Sequence, residues 1–278
     1  MWNQIKTIIL LGLLSGLVLS IGYMIGGNNG IVIALILAII MNFGMYFWSH
    51  KLVLAMYRAK PATKKEYPHL HKMVEDIAHK IGIPKPTLYI VPTETPNAFA
   101  TGPSPKKAVV ACTEGILKLL NDNELKGVLA HELSHVKNRD MLVTTIAATL
   151  AAVISTVARI ALWTGVSGDR DRGIHPIAFI FLIIVTPIAA LLIQLAISRS
   201  REYLADETGA KTIKDSHSLA NALSKLENGC KAKPLHMGNP TTSSLFIVNP
   251  FTARGLVALF STHPSTKDRI ERLSKMKF

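Results

Sequence analysis

Four long apolar runs constrain this chain more than any other feature: Thr7–Gly27, Ile31–Trp48, Met141–Val166 and Ile174–Ile197. Each is close to or above the roughly 18–20 residues an α-helix needs to cross a bilayer, where backbone polar groups must bond within their own segment. A chain built this way is expected to fold as a multi-pass membrane protein. The first run reads as a span and not as a cleaved signal, because its apolar stretch is long and a second span follows three residues later. Gly26-Gly27-Asn28-Asn29-Gly30 is expected to close the first pair of spans into a hairpin, and the loop Ser167–Gly173 the second. The charged fraction, 18%, agrees, since soluble domains carry about 25%.

Charge then predicts orientation. The net charge is +13, and nearly all of the excess lies in two polar stretches. Residues 51–140 hold 14 Lys/Arg against 9 Asp/Glu, and residues 198–278 hold 13 against 7. By the positive-inside rule both stretches and both termini face the cytoplasm, so the chain is expected in the inner (plasma) membrane. A basic surface there also suits anionic headgroups of the lipid bilayer. Nothing resembles a nucleic-acid module, so no nucleic-acid partner is expected. Cys112 and Cys230 are too few and too far apart for a disulfide framework or a cysteine metal site, and read as reduced, packed thiols.

The chain therefore divides into a transmembrane hairpin (1–50), a first cytoplasmic segment (51–140), a second hairpin (141–197) and a second cytoplasmic segment (198–278). Together the two cytoplasmic segments suffice for one ordinary core. Helical spacing of Leu70, Val74, Ile77 and Ile81 predicts a helix over Tyr67–Ile81, with His69, His71 and His79 on its surface or at its caps. Thr87–Val91 and Lys107–Cys112 read as strands, and Gly115–Leu120 as a short helix. Asn121 or Asp122 is expected to cap the next helix, with Glu124 in its first turn, and that helix could run directly into the third span. Further helices are expected near Arg199–Lys214, Ser218–Asn228 and from about Ser265, after an irregular stretch Lys231–Asn249. The fold class is α+β and mainly helical: four transmembrane helices and a cytoplasmic domain with a small sheet.

The chemistry is concentrated in His131-Glu132-Leu133-Ser134-His135. Histidines four apart on a helix share one face, so two imidazoles can take adjacent corners of a zinc tetrahedron. Glu132 is turned about 100° away, able to reach an attacking water without binding the metal. A third ligand is required. Glu202 is the best candidate, since it follows the fourth span at roughly the height at which His131 and His135 precede the third; His236 and His263 compete with it. Asp206, one turn beyond Glu202, is placed to accept a hydrogen bond from a ligand histidine. Glu202 and Asp206 could instead simply pair with Arg199 and Arg201.

These motifs, the four spans and the length resemble the HtpX-type membrane metalloproteases, relatives of the CAAX prenyl proteases. The resemblance covers nearly the whole chain. It implies a zincin-like catalytic domain, one zinc held by two histidines and a glutamate, and quality control of misfolded or damaged membrane proteins. Asn97-Ala98-Phe99-Ala100-Thr101-Gly102 is similar to the family's substrate-facing edge strand, and Phe260–Pro264 with Arg269 to its C-terminal element near the zinc. His263 and Arg269 are candidate donors to the oxyanion of the reaction; alternatively, Arg269 pairs with Asp268 or Glu271, and His263 caps a helix. The competing functions are a prenyl-protein endoprotease and an inactive membrane scaffold with a structural zinc. Within the spans, Arg159 is expected to snorkel toward Asp169 or Asp171, His175 to lie at the interface, and Pro187 to mark a helix irregularity.

Overall fold

The computed structural model describes residues 2–167, 181–232, 247 and 263–278. The second inter-span loop, His175, the start of the fourth run, His236, most of the irregular stretch and Phe260–Thr262 lie outside the described residues. The chain forms two compact units, each assembled from two separate stretches: Met1–Tyr46 with Val143–Ser200, and Phe47–Leu142 with Arg201–Phe278.

The first unit is helical. Among the described residues, three stretches are long and apolar enough to cross a membrane: Trp2–Trp48, Asp140–Arg159 and Ile183–Ile213. Helix α1, Trp2–Met56, is interrupted at Gly26 and at Gly27, whose φ of 56° and ψ of −139° suit glycine alone. The chain doubles back there so closely that a Cβ on Gly30 would lie 2.0 Å from the Gly22 carbonyl oxygen. Leu14, Val18 and Ile21 pack with Ala34, Ala38, Ala147, Ala151 and Ala190, the small-residue packing that brings membrane helices together. Ile8, Ile33, Ile36, Ile39 and Ile40 are exposed, an apolar surface suited to lipid. Buried Thr7 Oγ1 lies 3.0 Å from Ser200 Oγ, a polar link between two otherwise apolar helices. Arg159 is exposed and donates to Thr156 Oγ1 at 3.3 Å. A π-helical turn, Phe181–Val185, stands just ahead of Pro187, the irregularity expected of that residue.

The second unit holds all four strands. They are β1 (Lys60–Pro61), β2 (Thr87–Val91), β3 (Ala98–Thr101) and β4 (Val109–Thr113), in the order β1-β2-β4-β3. The central pair β2–β4 is parallel and both outer pairs are antiparallel. β4 begins two residues later than expected, because Pro105–Lys107 form a 3-10 turn. Helix α2 (Pro68–Ile81) buries Leu70, Val74, Ile77 and Ile81 as its spacing predicts, and ends at left-handed Gly82. The Thr113 side chain caps α3 (Glu114–Leu119).

Asn121 and Glu124 form a reciprocal capping box that starts α4, Asp122–Lys137. The expectation that this helix runs into the third apolar run is corrected. It stops at Asn138; Arg139 is left-handed at φ 54°, and α5 begins afresh as Asp140–Ser167. Helix α6, Thr186–Ile213, does continue unbroken from apolar into polar sequence. Helices α7 (His217–Ala232) and α8 (Thr266–Ser274) follow. Val128, Leu129 and Leu133 of α4 share one core with Leu219, Leu223 and Leu226 of α7 and Val110 of the sheet.

Gly209 lets α6 approach α4 at the backbone: a Cβ there would lie 2.9 Å from the His131 nitrogen. Gly209→Val is therefore expected to destabilise the protein by about 1–3 kcal/mol, read as a lower melting temperature in detergent. Burial, with the Glu132 charge, pushes the Cys112 thiol up to about 12, and burial alone pushes Cys230 up to about 11. Both thiols should resist maleimide at neutral pH until the chain is denatured, as mass spectrometry would show.

Candidate metal centre

Three helices of the second unit converge on one buried cluster. Helix α4 supplies His131, Glu132 and His135, α6 supplies Glu202 and Asp206, and α8 supplies Arg269, with His263 just ahead of it. All seven lie at low exposure; Arg269 is only 1% exposed. The ligand atoms of His131, His135 and Glu202 lie within 4.8 Å of one another. The two imidazole Nε2 atoms are 3.1 Å apart, and each is 3.6 Å from an oxygen of Glu202. Ligand atoms about 2.0–2.1 Å from a tetrahedral ion lie about 3.3–3.4 Å apart; the Nε2 pair is close to that spacing, and the two 3.6 Å distances run to different oxygens, His131 to Oε2 and His135 to Oε1. Glu202 Oε2 is buried with no hydrogen-bond partner among the described residues. That oxygen lies 3.6 Å from His131 Nε2 and 3.5 Å from Arg269 Nη1, and two imidazoles with a carboxylate are the donor set a borderline-soft divalent cation takes. The residues fit a metal.

Each histidine is held from behind. His131 Nδ1 meets Asp206 Oδ1 at 3.0 Å, and Arg269 grips Asp206 with two bonds of 2.7 and 2.9 Å. His135 Nδ1 meets Asp140 Oδ2 at 2.7 Å, and Asp140 pairs with Arg201. Glu132 is not part of the triangle; its Oε2 accepts from the backbone N–H of Ala100 on β3 at 2.8 Å. That bond lies on the side of β3 turned away from β4, so the free edge of the sheet is the one beside α4.

Burial and the Arg269 charge oppose a proton on His131, but Asp206 and Glu202 outweigh them and raise it to about 9. Burial raises the Glu132 carboxyl. A metal must displace the imidazole proton, so metal affinity should strengthen as pH rises toward about 9 and level off beyond. Chelator competition across that range would check it.

The sequence matches peptidase family M48 over residues 64–277. The chain belongs to that family. It is a metalloendopeptidase, a hydrolase of peptide bonds. A protease HtpX homolog of Pyrococcus furiosus is 54% identical over 98% of this chain and 95% of its own length. Another, from Thermococcus sibiricus, is 51% identical over 99% and 96%. Among solved structures, S. mikatae Ste24p is similar in fold, with a TM-score of 0.55 at 21% identity; the alignment covers 98% of this chain and 65% of that one.

In this M48 peptidase the residues singled out by sequence are brought together, with some different partners. Arg269 pairs with neither Asp268 nor Glu271: it is tied to Asp206 and to the Ile247 carbonyl oxygen at 3.0 Å, while Glu271 pairs with Lys275. His263 Nε2 stands 3.5 Å from Glu202 Oε1. Phe99 turns its ring inward against Tyr57, and Asn97 accepts from Ile247 N at 3.2 Å. Thr101 is buried at the end of β3, which Ala98 begins. Asp140 and Arg201 were not anticipated around His135. An Asp five residues after the second histidine and an Arg beside Glu202 were the available signals, and neither spacing is diagnostic alone.

Metal removal should loosen this centre, because the bonds that tie α4 to α6 through the ion are lost. Chelation is expected to lower the melting temperature of the whole chain, with recovery on adding zinc back.

Proposed function

We propose that this M48 peptidase is a zinc-dependent endopeptidase of misfolded or damaged membrane proteins, carried by four transmembrane helices with its active site on the cytoplasmic side. The buried cluster of His131, His135 and Glu202, with ligand atoms within 4.8 Å of one another, supports the metal assignment, at one zinc per chain. The relatives named as HtpX homologs support the substrate class. The break in α1 at Gly26–Gly27, with the three apolar helical stretches, supports four crossings, and the basic excess of residues 51–140 and 198–278 supports the orientation. On this reading the two stretches of the second unit are one catalytic domain.

Zinc, when bound, supplies Lewis acidity toward the attacking water and the scissile carbonyl. Glu132 takes the proton from that water and delivers it to the leaving amine. Its burial and raised carboxyl suit it to both halves of the transfer. Backbone groups on the free edge of β3, at Ala98 and Ala100, accept the substrate as an added strand, which asks little of substrate sequence. Asn97, Phe99 and Thr101 hold that strand in place through Ile247, Tyr57 and β4. His263, 3.5 Å from Glu202, serves as a donor to the developing oxyanion. The burial and full engagement of Arg269 support a role in fixing Asp206 and Glu202, not direct contact with substrate.

Two variants separate base from ligand. Glu132→Gln should keep about one zinc per chain and lose casein cleavage by several orders of magnitude, and wild-type turnover would reject the catalytic role. Glu202→Ala should lose zinc itself, and unchanged zinc content by elemental analysis would reassign the third ligand. Comparing membrane proteomes of cells carrying the active chain or Glu132→Gln tests the substrate class.

A further inference from the structure

A second buried carboxylate–guanidinium pair lies against the other histidine. Asp140 is 4% exposed and Arg201 5%. Asp140 Oδ2 accepts from His135 Nδ1 at 2.7 Å, and its Oδ1 accepts from Arg201 Nε. The same guanidinium donates through Nη2 to the Asn138 carbonyl oxygen at 2.7 Å. Arg201 therefore clasps both sides of left-handed Arg139, the residue that ends α4 and starts α5. Arg269, Asp206 and His131 form the same Arg–Asp–His order around the first histidine. So each imidazole has its own carboxylate, and each carboxylate its own guanidinium.

We propose that Asp140, held by Arg201, is the positioning residue for His135 in metal binding. By accepting the Nδ1 proton it fixes the tautomer whose Nε2 lone pair points toward the metal, and it sets the ring plane. Arg201 supplies the counter-charge without which a carboxylate buried this deeply would be strongly disfavoured. The α4–α5 break has a purpose on this account: a continuous helix would carry Asp140 past His135, whereas the turn at Arg139 brings it back to the ring. The inference rests on the reading of His135 as a metal ligand. A plain structural alternative exists, in which Asp140 and Arg201 merely fasten the helix junction.

The test uses the full chain in detergent, in a Glu132→Gln background that prevents self-cleavage. Zinc affinity is measured by competition with a chromophoric chelator, and melting temperature is measured on the metal-free protein. Asp140→Asn keeps the shape and hydrogen-bonding reach of the side chain but loses the charge. Its zinc affinity is expected to fall about 10–100-fold, whereas the metal-free melting temperature falls only by the cost of leaving Arg201 without its partner, a cost that Asp140→Glu removes. Asp140→Glu should recover part of the affinity, and the cobalt-substituted Asp140→Asn protein should show altered visible bands. Unchanged zinc affinity would overturn the proposal, as would a fall in melting temperature with affinity intact, the mark of a strut. If Asp140→Asn fails to fold, Arg201→Lys decides by the same two readings. A parent that takes up no zinc would instead defeat the metal assignment, and this inference with it.

Discussion

A carboxylate buried against two imidazoles, with one oxygen left unbonded, is the interaction around which the second unit is arranged. In a medium of low polarity such a group is expensive, and the surrounding residues offset it by charge. Arg269 lies 3.5 Å from Glu202 and is bonded to Asp206, so one guanidinium serves the ligand and the residue behind His131 together. Arg201 does the corresponding work for Asp140. The cluster alternates positive and negative groups, and Glu202 Oε2 takes no hydrogen bond from any described residue.

The helices that carry these groups are placed by constraints of other kinds. The start of α4 is fixed by a capping box at Asn121 and Glu124, and Lys225 of α7 reaches the same Glu124 at 2.8 Å. Its end is fixed by the left-handed turn at Arg139. Its packing distance to α6 is fixed at Gly209, where the absence of a side chain lets the Glu202 helix come within reach of the histidines. Glu132 is anchored from the sheet side by Ala100. Metal-site geometry tolerates errors of only a few tenths of an ångström, so backbone devices such as these matter more than the total of apolar burial.

The first unit follows the rules of a different solvent. Its interior mixes alanines with Leu14, Val18, Ile21, Ile154 and Ile197, while many of its other large side chains, such as Ile8, Ile33 and Ile39, are exposed. That exposure is what hydrocarbon surroundings favour: lipid does not drive apolar side chains inward, so close backbone approach holds the helices instead. Helices α5 and α6 each contribute residues to both units, with Asp140, Arg201 and Glu202 falling in the second. Family membership makes the protein a metalloendopeptidase; this arrangement is how a membrane chain of this length can carry one.

Local sequence determined the apolar runs, the α2 face, the cap at Asn121 and the spacing of His131, Glu132 and His135, because each rests on a periodicity or a bond within a few residues. It also gave Glu202 and Asp206 as a pair one turn apart on a helix. What the tertiary structure decided is which charges meet. Asp140 and Arg201 are 61 residues apart, and Asp206 and Arg269 are 63; local sequence does not distinguish Arg201 from Arg199, and Arg269 was singled out by the family resemblance, with no sign of its partner. Nor could spacing show that α4 breaks at Arg139, since that backbone conformation is unfavourable locally and is held by contacts that exist only after α6 has packed. The candidate ligands and Asp206 were legible in the sequence, but Asp140 and Arg201 beside His135 were decided by the fold, because side-chain direction and buried charge pairing are non-local quantities.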